Sequence, residues 1–183
     1  RNVLVTGYFR NSVSFGGPAL TSAGNADIYI AKYTADGTHL WSKRIGGVDD
    51  DVPLAMAVDA SGNILVSGYF YLTVDFGAGN VTSAGDADVF LLKLAPDGSH
   101  LWSKRVGGVG NDVSRALAVR SNGDVAISGH FTGSVNLGGG PLTSLGGTDV
   151  FLAVYDSSGQ HLWSRREGGT GGLLLLDAPH DRD

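Results

Sequence analysis

The chain has 183 residues, 42% hydrophobic and 17% charged, enough for one globular domain with a core. Its net charge of −5 gives nucleic acid no basic footprint, and the absence of cysteine excludes disulfides, thiolate metal sites and cysteine nucleophiles. No run approaches the ~18 apolar residues of a membrane span, and 29 glycines among 183 residues, against a usual ~7%, point to many tight turns between short strands.

The chain opens in mid-pattern at Arg1-Asn2-Val3, without an initiator methionine or signal peptide, which reads as a fragment, a processed form or a trimmed chain. A period follows at once. Trp41, Trp102 and Trp163 stand 61 residues apart, as do Gly7, Gly68 and Gly129; Phe9, Phe70 and Phe131; Asp27, Asp88 and Asp149; and His39, His100 and His161. No insertion or deletion breaks it, so the 183 residues hold three full periods.

The middle copy shows the elements in order. Residues 54–59 form a short strand A, and the small residues of 60–63 a turn. Residues 64–70, rich in Ile, Val and aromatics, form strand B. A long connection through 73–77 and 81–85 has room for an extra small hairpin. Strand C covers 88–94, Pro96-Asp97-Gly98 has hairpin-turn chemistry, and strand D covers 100–106 before Gly107 and Gly108 end it. No window carries a helical period. The expected fold is all-β: one repeat region over 1–183 made of three tandem four-stranded antiparallel blades of a β-propeller, with blade cores about 1–47, 48–108 and 109–169. Residues 170–183 depart from the pattern, with Pro179 where strand A elsewhere has alanine, and are read as a closing strand or a ragged end.

The runs Gly68-Tyr-Phe, Val74-Asp-Phe-Gly77, Thr82-Ser-Ala-Gly85, Asp88-Val-Phe and Leu101-Trp-Ser-Lys-Arg-Val-Gly-Gly108 resemble the bacterial seven-bladed β-propeller (SBBP) repeat family. The likeness covers nearly the whole chain, three times over. It implies a bacterial surface or extracellular protein and brings no shared catalytic motif. Three copies fall short of the ~4–8 blades that close a propeller. Two readings follow: a dimer forming a six-bladed ring, or a piece of a longer array.

The chemistry-bearing residues divide by phase. The three tryptophans read as packing between or within blades. His39, His100 and His161 invite a metal, but strand D is the outermost strand of a blade, which spreads them along the rim. Asp27, Asp88 and Asp149 open strand C and are placed to take local N–H bonds or to pair with Arg44, Arg105 and Arg166. Asp49-Asp50-Asp51 has Gly110-Asn111-Asp112 as its counterpart; this fading acidity reads as a solvated loop, with Asp49, Asp50, Asp51 and Asp112 as calcium candidates.

No G-x-S-x-G, H-E-x-x-H or P-loop occurs, and Glu167 is the single glutamate. Strand A offers mainly Ala, Val, Met and Leu, which argues against a lyase or hydrolase built around a central channel. The B–C and D–A connections share one face of a propeller and carry the variable residues, so Arg10, Tyr71, Asp75, Asn111 and His130 are the candidate ligand-binding set. The expected function is a non-catalytic scaffold for a protein or carbohydrate ligand. The alternative is a calcium-dependent or carbohydrate-binding module.

Overall fold

A computed structural model describes residues 2–171, and these contain strands and turns but no α-helix. The first repeat gives β1 (Val3–Phe9), the short pair β2 (Ser12–Val13) and β3 (Leu20–Thr21), then β4 (Asp27–Tyr33) and β5 (His39–Ile45). The second gives β6 (Asp51–Val58), β7 (Ile64–Phe70), β8 (Thr73–Asp75), β9 (Asn80–Thr82), β10 (Asp88–Leu94) and β11 (His100–Gly108). The third gives β12 (Asp112–Val119), β13 (Val125–Asn136), β14 (Pro141–Tyr155) and β15 (His161–Glu167). All pairings are antiparallel.

The sheets correct the expectation of three separate four-stranded blades. The first repeat contributes a three-stranded sheet, β1-β4-β5. The second and third run β6-β7-β10-β11 and β12-β13-β14-β15, but they are joined in one sheet. The join is made by Gly107 and Gly108, which do not end strand D: they carry β11 onward to pair with Asn136 and Val135 of β13. The described strands do not close into a ring. The architecture is all-β and antiparallel, consistent with a repeat of β-propeller type.

Strands B and C start and stop where the residue pattern put them. Strand A begins earlier, at Asp51 rather than at 54. Pro53 sits at the register shift between Pro53 and Ala55, a bulge where proline is tolerated, and it does not block the strand. The B–C connection holds the extra hairpin in the first two repeats, as β2/β3 and β8/β9. In the third repeat the same hairpin merges with its neighbours, because β13 and β14 run through it without a break.

The core lies between repeats. Ile28, Ile30 and Ile45 of the first pack with Ile64, Val66, Phe70, Phe90 and Leu92 of the second. Leu65, Val89 and Leu91 point the other way and pack with Ile127, Phe131, Phe151 and Tyr155 of the third. Alternating side chains of β7 and β10 thus serve two cores, and every residue of β10 is buried. Polar clasps reinforce the joints: at the first, Lys43 Nζ donates to the Gly98 carbonyl at 2.7 Å, and the second has two. Ser114 Oγ donates to Ser67 Oγ at 3.0 Å in the interior, and Lys93 Nζ meets Asp59 at 3.0 Å and the Ser157 carbonyl at 3.2 Å. Of residues 170–183, read as a closing strand or ragged end, those from 172 onward lie outside the described residues.

Candidate binding face

The B–C and D–A connections meet on one face. The Asp51 N–H donates to the Ala26 carbonyl at 2.7 Å, and one period on the Asp112 N–H donates to the Ala87 carbonyl at 2.8 Å. The Ala26 N–H donates to Asp50 Oδ1 at 3.1 Å, and the Ala87 N–H to Asn111 Oδ1 at 3.3 Å. An asparagine accepts this bond as well as an aspartate does. The acidity lost between the two copies leaves the loop geometry intact.

Asp51 and Asp112 are not part of a solvated loop, as the run of three aspartates suggested. Both are fully buried, and each accepts a 2.6 Å bond from a glycine four residues back, Gly47 or Gly108. Burial pushes both carboxyls up to about 7; the glycine N–H works against the shift, and the charge of Asp27 or Asp88 adds to it.

Those neighbours form a second repeated device. Asp88 and Asp149 are fully buried and accept 2.7 Å bonds from Arg105 and Arg166, and Asp27 pairs with Arg44 in the same way. Each carboxylate also takes the N–H of a residue four positions earlier: Ala23, Ala84 or Leu145. The strand-opening aspartates therefore pair with the strand-D arginines and lock the B–C loop to its own repeat.

On this face a pocket of ≈190 Å³ draws its walls from all three repeats: Tyr8 and Arg10 from the first, Asp50, Leu54 and Tyr69 from the second, and Arg115 from the third. Arg10 reaches Asp50 at 3.5 Å. Tyr71 stands edge-on to Tyr69 with ring centroids 5.8 Å apart. Burial pushes both phenols up; for Tyr69 the charge of Tyr71 is the next cause, and for Tyr71 that of Asp86. Both phenols keep their protons, so the pocket combines hydroxyl and guanidinium donors over the apolar floor of Val52 and Leu54. Its walls hold one carboxylate, Asp50, and no serine, cysteine, histidine or glutamate.

The predicted site residues therefore scatter. Arg10 lines the pocket and Tyr71 adjoins it. Asn111 belongs to the loop joint between the second and third repeats. His130 holds on β13 the repeat position that Tyr8 and Tyr69 hold on β1 and β7. Asp75 is a turn cap: it accepts from the Gly77 and Gly79 N–H groups at 2.7 and 3.0 Å in the β8/β9 turn. Of the calcium candidates, Asp49 accepts from Asn25 Nδ2 at 3.0 Å, Asp50 serves the loop, and Asp51 and Asp112 sit in successive joints. Among the described residues no three His, Cys, Asp or Glu groups stand where they could hold one metal ion. Tyr8, Tyr69 and Arg115 were missed; the shared phase of Tyr8, Tyr69 and His130 was the available signal.

His39, His100 and His161 each lie over the glycine turn of their own B–C hairpin. His100 and His161 also bond the Ser103 and Ser164 hydroxyls at 3.0 Å. They belong to separate repeats, and among the described residues they do not gather into a metal site.

No known family profile matches the chain. It is 23% identical over 190 aligned residues to an uncharacterized WD repeat-containing protein of Acanthamoeba polyphaga mimivirus; the match covers 86% of this chain and 14% of that protein. It is 29% identical over 140 residues to the regulatory protein FlaEY of Caulobacter vibrioides, covering 74% of this chain and 15% of that protein. The chain thus spans about a seventh of the length of these curated relatives. The names are those of a repeat protein and a regulatory protein. With the all-β antiparallel sheets, the WD repeat name suggests a repeat of β-propeller type.

Proposed function

We propose that this chain is a stretch of β-propeller blades acting as a non-catalytic interaction scaffold, and that the B–C/D–A face receives a protein partner. The pocket shared by Tyr8, Arg10, Asp50, Tyr69 and Arg115 carries this reading. It offers arginine and tyrosine, the residue types enriched at interface hot spots, with Tyr8, Tyr69 and Arg115 on strands β1, β7 and β12 and Arg10 and Asp50 on the connections beside them. Variable loops on a rigid scaffold are a common seat of binding, and the repeat name of the mimivirus relative points the same way. A place at the bacterial surface, within a longer SBBP-like array, rests on the motif resemblance alone.

A photo-crosslinking residue at position 10 or 71, compared with one at position 61 or 121 on the opposite face, tests the reading in the source cell. The expected result is a discrete protein adduct from positions 10 and 71. Adducts confined to positions 61 and 121, or turnover of a small substrate by the purified chain, would contradict it.

A further inference from the structure

The two joints between successive repeats are built from the same positions but carry different charge. At the first joint the cations have carboxylates beside them. The Lys43 ammonium that meets the Gly98 carbonyl helps hold the Asp97 carboxyl down, after the bonds from Ser99. Asp75 is held down by the Gly77 and Gly79 N–H groups, and the charge of His100 adds to this.

At the second joint the cations are kept and the carboxylates are lost. Lys104, Arg105 and His161 hold the positions of Lys43, Arg44 and His100, whereas Asn136 stands where Asp75 does and Ser158 where Asp97 does. A cleft of ≈300 Å³ opens here, with Lys104 and Arg105 of β11 on one side and Asn136, Gly138 and His161 of the third repeat on the other. Its lining contains no carboxylate. Arg105 gives one nitrogen to the buried Asp88 at 2.7 Å and keeps the other donors of its fork. Asn136 Oδ1 accepts the Gly138 and Gly140 N–H groups at 2.9 and 3.3 Å, which leaves the amide NH2 as a donor. The stem of Lys104 lies against the C–D turn of the third repeat, where a methyl on Gly159 would stand 2.9 Å from Cε. Among the described residues no carboxylate pairs with the Lys104 ammonium.

We infer that this cleft binds a tetrahedral oxyanion, a sulfate or phosphate group carried by a ligand. Two cations and an amide donor line one space that no carboxylate competes for. Donors from three side chains suit an anion with more acceptor oxygens than the two of a carboxylate. The cleft shares no residue with the pocket of the B–C/D–A face, so the inference does not depend on that reading.

Titration of the isotope-labelled chain with sodium sulfate, sodium phosphate or sodium acetate, at an ionic strength held constant with chloride and followed by amide NMR shifts, tests it. Sulfate and phosphate should move the signals of Lys104, Asn136 and Gly138 along saturating curves, while those of Lys43, Asp75 and Gly77 at the first joint stay nearly still. The tighter binder of the two identifies the ester, sulfate or phosphate, that the natural ligand carries. Asn136→Asp copies the first joint and keeps the turn cap; it should weaken binding by at least about tenfold, as should Lys104→Ala. Far-ultraviolet circular dichroism checks that both variants stay folded. Shifts that drift without saturating, equal movement at the two joints, or variants that bind as the parent does would overturn the inference. Acetate binding as tightly as sulfate or phosphate would overturn the tetrahedral assignment.

Discussion

Asp51 and Asp112 are the residues whose chemistry reports most directly on the fold. In the unfolded chain their carboxyls titrate near ~3.9; folded, burial raises both to about 7. Between these values the folded chain holds more protons than the unfolded one. Stability therefore falls as pH rises through about 4 to 7, and levels off above. Asp75 and Asp149, whose carboxyls are lowered, act in the other direction, but their loss comes below about pH 4. The melting temperature should decline across this window, and the Asp51→Asn/Asp112→Asn variant should lose most of the decline. A flat wild-type profile would mean the two carboxyls are not buried as described. This site was only half legible in the sequence. The spacing of Asp27 and Arg44, repeated twice, gave away the clasp. The burial of Asp51 was hidden because it sits in a run with two surface aspartates, and only its phase with Asp112 sets it apart.

The strands show the same division. Residues that alternate within β7 and β10 announce strands, and both elements lie where their Val, Ile and Phe content puts them. Strand A was placed from the apolar run at 54–59, and only its pairing with strand B shows that it starts at Asp51 and that Pro53 falls at a bulge. That bulge brings the backbone of strand A close to strand B. A methyl on Gly68 would stand 2.0 Å from the Val52 carbonyl oxygen, and one on Gly129 1.9 Å from that of Val113. At the equivalent Gly7, where no described strand A lies alongside, its nearest neighbours would be side-chain atoms of Tyr29, from 2.8 Å. Gly68→Ala should cost about 3 kcal/mol in chemical denaturation. Gly7→Ala should cost about 1 kcal/mol or less, because a side chain can turn aside where a backbone cannot. Equal losses at the two positions would contradict the strand A register.

At the scale of the molecule, the middle repeat is buried on both faces and the outer two on one. This follows from tandem stacking of units that cannot bury their apolar faces alone. The period was legible because it is written in single residues. The joining of β11 to β13 was not, because it depends on two glycines whose pairing is set by a strand ~30 residues away. The pocket was not legible either, since its walls come from three repeats that converge only in the fold. The central claim is that this rigid stack presents one functional face. Hydrogen-exchange footprinting of the chain with its crosslinked partner tests it most directly. Slowed exchange at the loops around Arg10, Ala26, Asp50 and Tyr71, with the turns at Ser61, Gly98 and Asn122 unchanged, is the predicted result. Protection at those turns with the loops unaffected would contradict it.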